Sequence, residues 1–217
     1  TNLNPAITFS SDSETLTISN PSHITGSVAD GGTGTDTIHV PTGSDLTAFT
    51  TLTGFETLSV PSSATLTLSE AQHEQFTTIS GSGAPVFTIT AGSGGDANLT
   101  ANSAIVTYVL NTPIALTLVD RDQSVTGSNL ADSVDISNFA YRGTLDGGDG
   151  TDTLLLIDGA SIAAATISNF ETLNLSGGGS LTMKVAQHNA FTTITGSGTD
   201  QITISDATNG LIAANDI

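Results

Sequence analysis

Two nine-residue stretches of the chain combine glycines with an aspartate at a spacing that suits metal binding. The first is Gly31–His39, with the sequence GGTGTDTIH, and the second is Gly147–Leu155, with the sequence GGDGTDTLL. Both fit G-G-x-G-x-D-x-U-x, with U apolar, at every fixed position, and this nonapeptide pattern binds calcium in parallel β-helices. The glycines let the backbone turn with positive φ and bring its carbonyls close to an ion, while the aspartate supplies charge.

One nonapeptide provides about half of the six to eight oxygen ligands that calcium takes, so a neighbouring turn must supply the rest. Before the second nonapeptide, Gly127–Val134 resembles a degenerate turn whose Asp132 lies 20 residues before Asp152 (152 − 132), which is near one coil. We therefore predict a calcium site there, and its expected residues are Asp132, Asp135, Asp146, Gly148, Asp149, Gly150 and Asp152.

The first nonapeptide predicts a second calcium site with a smaller set of side chains. Its expected residues are Asp30, Gly32, Gly34 and Asp36, and Asp12 is the only upstream carboxylate that we identify as a partner. The alternative for both stretches is that the turns keep their glycines for backbone geometry and hold no ion.

The nonapeptides belong to a longer internal duplication. Gly31 and Gly147 are 116 residues apart (147 − 31), and Glu56 and Glu171 are 115 apart (171 − 56). The segments Phe-Glu-Thr-Leu, Ala-Gln-His and Phe-Thr-Thr-Ile recur in the same order in both copies. Such a period would hold about five or six solenoid turns of roughly 18–25 residues. We expect two modules, residues 1–115 and a truncated copy at 116–217, in one continuous solenoid that is a fragment of a longer repetitive protein.

Short strands with alternating apolar and polar residues are predicted along the chain. The predicted strands are Ala6–Ser10, Thr15–Ser19, Thr35–Val40, Glu56–Val60, Thr65–Leu68, Thr77–Ser80, Val86–Thr90, Ala104–Leu110, Ile114–Val119, Ser133–Ser137, Thr153–Ile157, Glu171–Leu175, Ser180–Met183, Thr192–Thr195 and Gln201–Ser205. We predict an all-β fold, a parallel β-helix or β-solenoid with short flanking helices. The alternative is a series of β-sandwich repeats, which would show similar short strands.

Four short helices are predicted between the strands. Ser69–Phe76 begins with the residue types of a capping box and is echoed at Lys184–Phe191, and Phe76 and Phe191 should anchor these helices to the core. Two weaker candidates are Ala160–Ile167 and Ser44–Leu52. In the duplicated Phe-Glu-Thr-Leu strand, Phe and Leu should point inward and Glu should be hydrogen-bonded at a coil corner. The duplicated Gln-His pairs are interpreted as structural or surface residues.

The charge of the chain excludes several kinds of partner. It has 3 Lys and Arg residues against 21 Asp and Glu residues, for a net charge of −18. Such a chain repels itself unless cations neutralise part of the charge. It lacks the basic surface that nucleic acids and anionic membranes require, and no apolar run approaches the roughly 20 residues of a membrane span.

The sequence gives no indication of an enzyme. It contains no serine elbow, HExxH motif or cysteine, so these nucleophilic, zinc-peptidase and thiol chemistries are not expected. Three basic residues are too few to neutralise an acidic polysaccharide. A β-helix enzyme that acts on polysaccharides is therefore the least favoured alternative.

The nonapeptides, the acidic cysteine-free composition and the Phe-Glu-Thr-Leu strands together resemble the large RTX-type surface proteins of Gram-negative bacteria. This family includes adhesins and surface-layer proteins exported by type I secretion. The resemblance implies a secreted, cell-surface protein that folds when external calcium fills its turns. We expect a calcium-stabilised structural or assembly module that associates with itself or with other surface proteins. The alternative is an adhesin module that binds a glycan or a protein.

Overall fold

The computed structural model describes residues 6–90, 98–102, 105, 107–136, 140–157, 159–176, 180–196 and 200–206. The protein is an all-β parallel β-solenoid, as predicted. Strand pairs in the described residues run parallel, for example β17 (Thr153–Ile157) beside β19 (Thr172–Ser176). The β-sandwich alternative is therefore wrong, because sandwich sheets are antiparallel.

In the described residues, short strands and two α-helices of six residues each make up most of the regular structure. The strands are β1 (Ile7–Thr8), β2 (Thr15–Thr17), β3 (Val28–Asp30), β4 (Thr37–His39), β5 (Ser44–Asp45), β6 (Thr51–Thr53), β7 (Thr57–Ser59), β8 (Thr65–Ser69), β9 (Thr78–Ser80), β10 (Val86–Thr90), β11 (Asn98–Thr100), β12 (Thr107–Leu110), β13 (Ala115–Thr117), β14 (Ser124–Thr126), β15 (Ser133–Ile136), β16 (Thr144–Asp146), β17, β18 (Thr166–Ser168), β19, β20 (Ser180–Met183), β21 (Thr193–Thr195) and β22 (Gln201–Ile204). The helices are α1 (Glu70–Gln75) and α2 (Val185–Ala190), and single 3₁₀ turns occupy Pro21–His23 and Leu46–Ala48.

The chain divides into two compact units, one of Thr1–Gly94 with Ala104–Thr107 and one of Gly95–Ser103 with Tyr108–Ile217. In the first unit, successive coils contribute strands to three sheets, ordered β1-β3-β6, β2-β4-β7-β9 and β5-β8-β10. The second unit contains the orders β14-β16-β18, β11-β13-β15-β17-β19-β21 and β20-β22. Each coil therefore places equivalent residues of successive turns directly over one another.

Stacked aliphatic side chains form the core of each unit. In the first unit Leu16, Ile38, Leu58 and Ile79 share one register position. In the second, Val134, Leu154, Leu173 and Ile194 do the same. All eight are buried, and the apolar U residues of the nonapeptides, Ile38 and Leu154, are fully so. Burying each such side chain contributes roughly 1.5–3 kcal/mol relative to exposing it.

The capping box predicted for α1 is present, and α2 has only the half of it that its glutamine supplies. Ser69 Oγ accepts Gln72 N at 3.3 Å, and Gln72 Oε1 accepts Ser69 N at 2.9 Å, which completes the capping box of α1. In α2, Gln187 Oε1 accepts Lys184 N at 2.8 Å. Phe76 and Phe191 are buried at the helix ends and anchor them as expected.

A glutamine side chain also ties each helix to the backbone of an adjacent coil. Gln72 Nε2 donates to Leu46 O at 2.8 Å. Gln187 Nε2 donates to Ile162 O at 2.7 Å and to Ala165 O at 3.0 Å. Leu46 and Ile162 are 116 residues apart (162 − 46), so the duplication seen in the sequence extends to this tertiary contact.

The predicted helices at Ala160–Ile167 and Ser44–Leu52 are wrong. The first segment holds a turn that leads into β18, and the second holds β5, a single 3₁₀ turn and most of β6. Pairing of β18 with β16 continues a parallel sheet, and this tertiary pairing outweighs the helix propensity of the alanines. Ala104 and Ser137, at the ends of two predicted strands, lie outside the described residues.

We predict that Gln72→Ala lowers the free energy of unfolding by about 1–2 kcal/mol, because it removes the bond to Leu46 and half of the capping box. Gln75→Ala is the matched control on the same helix. The Gln75 amide nitrogen is buried without a hydrogen-bond partner, so its removal loses no bond. Urea unfolding measures both variants, and equal losses would contradict the assigned role of Gln72.

Candidate metal centre

The glycines of both nonapeptides hold backbone conformations and contacts that a side chain would prevent. Gly32 and Gly34 have φ values of 86° and 152°, and Gly148 and Gly150 have 91° and 137°. A Cβ atom would lie 2.2 Å from Ser10 O at Gly32 and 2.1 Å from Ser128 O at Gly148. The glycine loop therefore packs directly on the loop one coil earlier. We call the loops Ser10–Glu14 and Asp30–Asp36 the first corner, and Gly127–Asp132 and Asp146–Asp152 the second corner.

The nonapeptide aspartate at each corner is fully buried and accepts a backbone amide from the preceding coil. Asp36 and Asp152 both have zero exposed surface. Asp36 Oδ1 accepts Glu14 N at 2.7 Å, and Asp152 Oδ1 accepts Asp132 N, also at 2.7 Å. These carboxylates are therefore built into the stacking of the coils.

The same bond repeats at the neighbouring coils. Glu56 Oε2 accepts Asp36 N at 2.8 Å, and Glu171 Oε2 accepts Asp152 N at 2.8 Å. Asp132 Oδ1 accepts Ile114 N at 3.1 Å. We call this series of carboxylate-to-amide bonds between successive coils the carboxylate ladder.

The carboxylate ladder confirms the corner role predicted for the duplicated glutamates. Phe55, Leu58, Phe170 and Leu173 are buried as expected. Sequence reasoning did not connect Glu14, Glu56 and Glu171 to the nonapeptide aspartates. The signal was present in the spacing of the bonded acids, which is 22 and 20 residues in the first corner and 20 and 19 in the second.

The second oxygen of each nonapeptide aspartate has no hydrogen-bond partner. Asp36 Oδ2 and Asp152 Oδ2 are buried and unpartnered, and so is Glu14 Oε2 in the first corner. A buried carboxylate oxygen without a partner is costly and calls for a water, a proton or a cation.

The degenerate turn of the second corner shows how such an oxygen is satisfied. Asp132 Oδ2 accepts Ser128 N at 2.7 Å and Ser128 Oγ at 2.9 Å. One coil later Gly148 takes the place of Ser128, lacks a hydroxyl, and donates its amide to Asp146 Oδ1 at 3.2 Å. The nonapeptide sequence itself therefore leaves Asp152 Oδ2 without a donor.

The electrostatic surroundings disfavour the charged form of Asp152. Burial is the largest cause of its raised pKa, which the hydrogen bond from Asp132 N partly opposes. The negative charges of Asp132, Glu171 and Asp146 raise the pKa further. A cation next to Asp152 would reverse this balance because it favours the ionised carboxylate.

The remaining predicted site residues are distributed between the corners and a sheet face. Asp30 Oδ1 and Asp146 Oδ1 accept the amides of Gly32 and Gly148 at 3.1 and 3.2 Å, which stabilises the turns. Asp149 is exposed at the second corner, and its amide donates to Ser128 O at 3.2 Å. Asp135 lies within β15, in register with Thr117 and Leu155, and so belongs to a strand rather than to the corner.

The corners fit a cation only if backbone oxygens supply most of its ligands. Within the described ranges, no three Asp, Glu or His side chains converge as a metal-binding group. The carbonyls of Ser10 and Ser128 already accept the amides of Thr33 and Asp149. Each corner nevertheless offers a hard, buried and unpartnered carboxylate oxygen, which is the donor type that calcium prefers.

The duplicated Gln-His pairs belong to the packing of α1 and α2, which matches the structural role predicted for them. His73 and His188 are both buried. Burial lowers the pKa of His73 from 6.5 to about 4.

No protein-family model, curated protein or solved structure matches this chain. Neither α-helix in the described part of the chain has the length and apolar character needed to cross a bilayer.

We predict that Glu171→Ala lowers the free energy of unfolding by about 1–3 kcal/mol, because Asp152 N is then buried without an acceptor. Glu171→Gln retains an acceptor oxygen and should lose less than half as much. Glu74→Ala, which removes an exposed carboxylate of α1, controls for the change in net charge. Urea unfolding in chelator measures all three, and similar stabilities for the Ala and Gln variants would refute the carboxylate ladder.

We also predict that His73 makes the fold sensitive to acid. Its folded pKa of about 4 lies below the unfolded value of 6.5, so between these values the unfolded chain binds the additional proton. Stability is therefore fully present above pH 6.5 and falls as the pH approaches 4, by about 3 kcal/mol from this residue. Denaturant unfolding at several pH values should show a shallower decline in His73→Gln. The exposed control His39→Gln should keep the wild-type slope, and an unchanged slope in His73→Gln would overturn the assignment.

Proposed function

We propose that this chain is a calcium-stabilised structural module of a secreted bacterial surface protein, either a surface-layer protein or an adhesin stalk. The observation that carries the proposal is the pair of corners in which a buried nonapeptide aspartate has one oxygen bonded to the backbone and the other oxygen unpartnered. The first oxygen serves the fold, and the second is available to a ligand.

The use of the polar residues supports a structural role. Asp36, Asp152, Glu56 and Glu171 accept backbone amides, and Gln187 donates to two backbone carbonyls. The carboxylates of this group could in principle perform acid–base chemistry, but here they hold one coil against the next. The expectation that the chain is not an enzyme stays a prediction.

Calcium is the ligand that we propose for the corners. Asp152 Oδ2 would hold it at the second corner beside the glycine loop, and Asp36 Oδ2 would do so at the first. When bound, the ion supplies positive charge to a cluster of carboxylates in a chain of net charge −18. Asp132, Glu171 and Asp146 contribute to the negative potential that attracts it.

The resemblance to RTX-type proteins supports the proposed location at the cell surface. An acidic chain whose corners carry uncompensated carboxylates is less stable without cations, which suits export in an unfolded form from a calcium-poor cytosol. Folding outside the cell would then follow from the higher calcium concentration there. Association with further copies or with other surface proteins is part of this proposal.

A glycan-binding adhesin module is the second candidate, and one feature of the first unit favours it. A groove of about 350 Å³ runs across three coils and is lined by aliphatic residues and prolines beside polar groups. Its polar lining includes Thr17, His39 and Ser59, which share one register position. Glycan-array binding by the isolated chain, lost in His39→Ala, would favour this candidate over the structural role.

We predict that calcium raises the free energy of unfolding by about 2–3 kcal/mol at a concentration near 100 times its dissociation constant. That constant should be on the order of 0.1–1 mM, as in other extracellular modules. Thermal and urea unfolding in chelator and in excess calcium measure the gain. The double variant D36N/D152N keeps the Oδ1 acceptors and should lose the gain.

Asp45→Asn is the matched control for this experiment. Asp45 is exposed and caps a 3₁₀ turn away from the nonapeptides, a role that asparagine can also perform. It should retain the full calcium response. If the wild-type chain unfolds identically in chelator and in calcium, the calcium-stabilised module is refuted. Growth of the particle size on adding calcium, measured by light scattering, would support assembly.

A further inference from the structure

We propose that Asp149–Gly150 is a site of spontaneous aspartate isomerisation, and that the fold protects the chain's other described Asp-Gly pairs from the same reaction. Those pairs are Asp30–Gly31 and Asp146–Gly147, and Asp158 of a fourth pair lies outside the described residues. An aspartate followed by glycine is the most susceptible to this reaction, because glycine has no side chain to hinder attack by its backbone amide.

The reaction needs a free amide nitrogen and a free carboxyl group on adjacent residues. The backbone nitrogen of the glycine attacks Cγ of the aspartate, an N–Cγ bond forms, and the Cγ–O bond breaks. The amide proton and the hydroxyl group of the protonated side-chain carboxyl leave together as water, which gives a five-membered succinimide. Water then opens the ring at either carbonyl, and one of the two products has the main chain running through the former side chain.

Backbone hydrogen bonds occupy the attacking nitrogen in both protected pairs. Gly31 N donates to Thr53 O at 2.9 Å, and Gly147 N donates to Ser168 O at 3.0 Å. Both glycines are also buried. Attack would first require each of these bonds to break.

The carboxylates of the protected pairs are held in place as well. Asp30 Oδ1 accepts Gly32 N at 3.1 Å and Thr53 Oγ1 at 3.2 Å. Asp146 Oδ1 accepts Gly148 N at 3.2 Å and Asn169 Nδ2 at 2.7 Å. These bonds direct the carboxylate to other donors and restrict its rotation towards the following amide.

Asp149–Gly150 lacks both restraints. The two residues are exposed at the second corner. In the described structure, neither the Asp149 carboxylate nor Gly150 N takes part in a hydrogen bond, and only Asp149 N is bonded, to Ser128 O. The second corner therefore exposes the reactive pair Asp149–Gly150 to solvent, while the protected pair Asp146–Gly147 lies only three residues earlier in the chain.

Isomerisation at this position would lengthen the main chain by one methylene within the glycine loop. The loop packs closely on the preceding coil, where a Cβ atom on Gly150 would lie 2.7 Å from Leu130 O. The longer backbone cannot keep this stacking and the Asp149–Ser128 bond together. The product should therefore be less stable than the parent chain.

The experiment incubates the full chain for several weeks at neutral pH and 37 °C in chelator, so that its outcome is independent of calcium binding. Peptide mapping with electron-transfer fragmentation and isoaspartyl methyltransferase labelling locate and count isoaspartate. We expect residue 149 to exceed residues 30 and 146 by at least about fivefold, the factor for breaking one ordinary hydrogen bond first.

Two controls separate the effect of the fold from that of sequence. In urea the three pairs should react at similar rates, because the protecting bonds are absent. Asp149→Glu should abolish the signal at this position, because ring closure from the longer side chain is slow, and should leave positions 30 and 146 unchanged. Equal rates at the three pairs in the folded chain, or a faster reaction at 30 or 146, would overturn the proposal.

Discussion

The structure depends on the bond between a corner carboxylate and the backbone amide one coil earlier. In a parallel β-solenoid, backbone hydrogen bonds between strands of successive coils pair most amides with carbonyls. These strand-to-strand bonds stop where the chain turns at a corner. Amides at those corners would be buried without acceptors, which costs about 1–3 kcal/mol each. Asp36, Asp152, Glu56 and Glu171 supply the missing acceptors, and this fixes the register of one coil on the next.

The parts of the fold that could be predicted from the sequence are the strands and helices that have a recognisable local pattern of residue types. The alternation of apolar and polar residues predicted strands such as Val86–Thr90 and Thr153–Ile157, and their bounds agree with the structure. The residue types of the capping box predicted α1. Strands β3 and β16 were missed because each has three residues and ends in aspartate, which gives too little alternation to recognise. These segments are strands because strands of adjacent coils pair with them, and this tertiary pairing cannot be recognised from the local sequence.

The candidate site was predictable in its central residues and not in its extent. The nonapeptide pattern identified Asp36 and Asp152, and the one-coil spacing correctly brought Asp132 to Asp152. Asp135, only three residues from Asp132, was grouped with them by proximity in sequence, yet the extended backbone of β15 carries it away from the corner. Glu14 was missed because the distance between bonded acids varies from 19 to 22 residues, so no fixed period reveals it.

The degenerate turn at Asp132 and the nonapeptide at Asp152 can be compared directly, and the comparison bears on the role of the nonapeptides. At the degenerate turn, Ser128 satisfies Asp132 completely with an amide and a hydroxyl. One coil later the glycine loop gives up both donors and leaves Asp152 Oδ2 buried alone. If stability alone determined the corner, a serine that donates its amide and hydroxyl to the aspartate would be expected at both turns, because the fold accommodates this arrangement at Ser128. The same arrangement recurs 116 residues apart, at Asp36 and Asp152 (152 − 36), and this recurrence supports the proposal that the corners bind a cation.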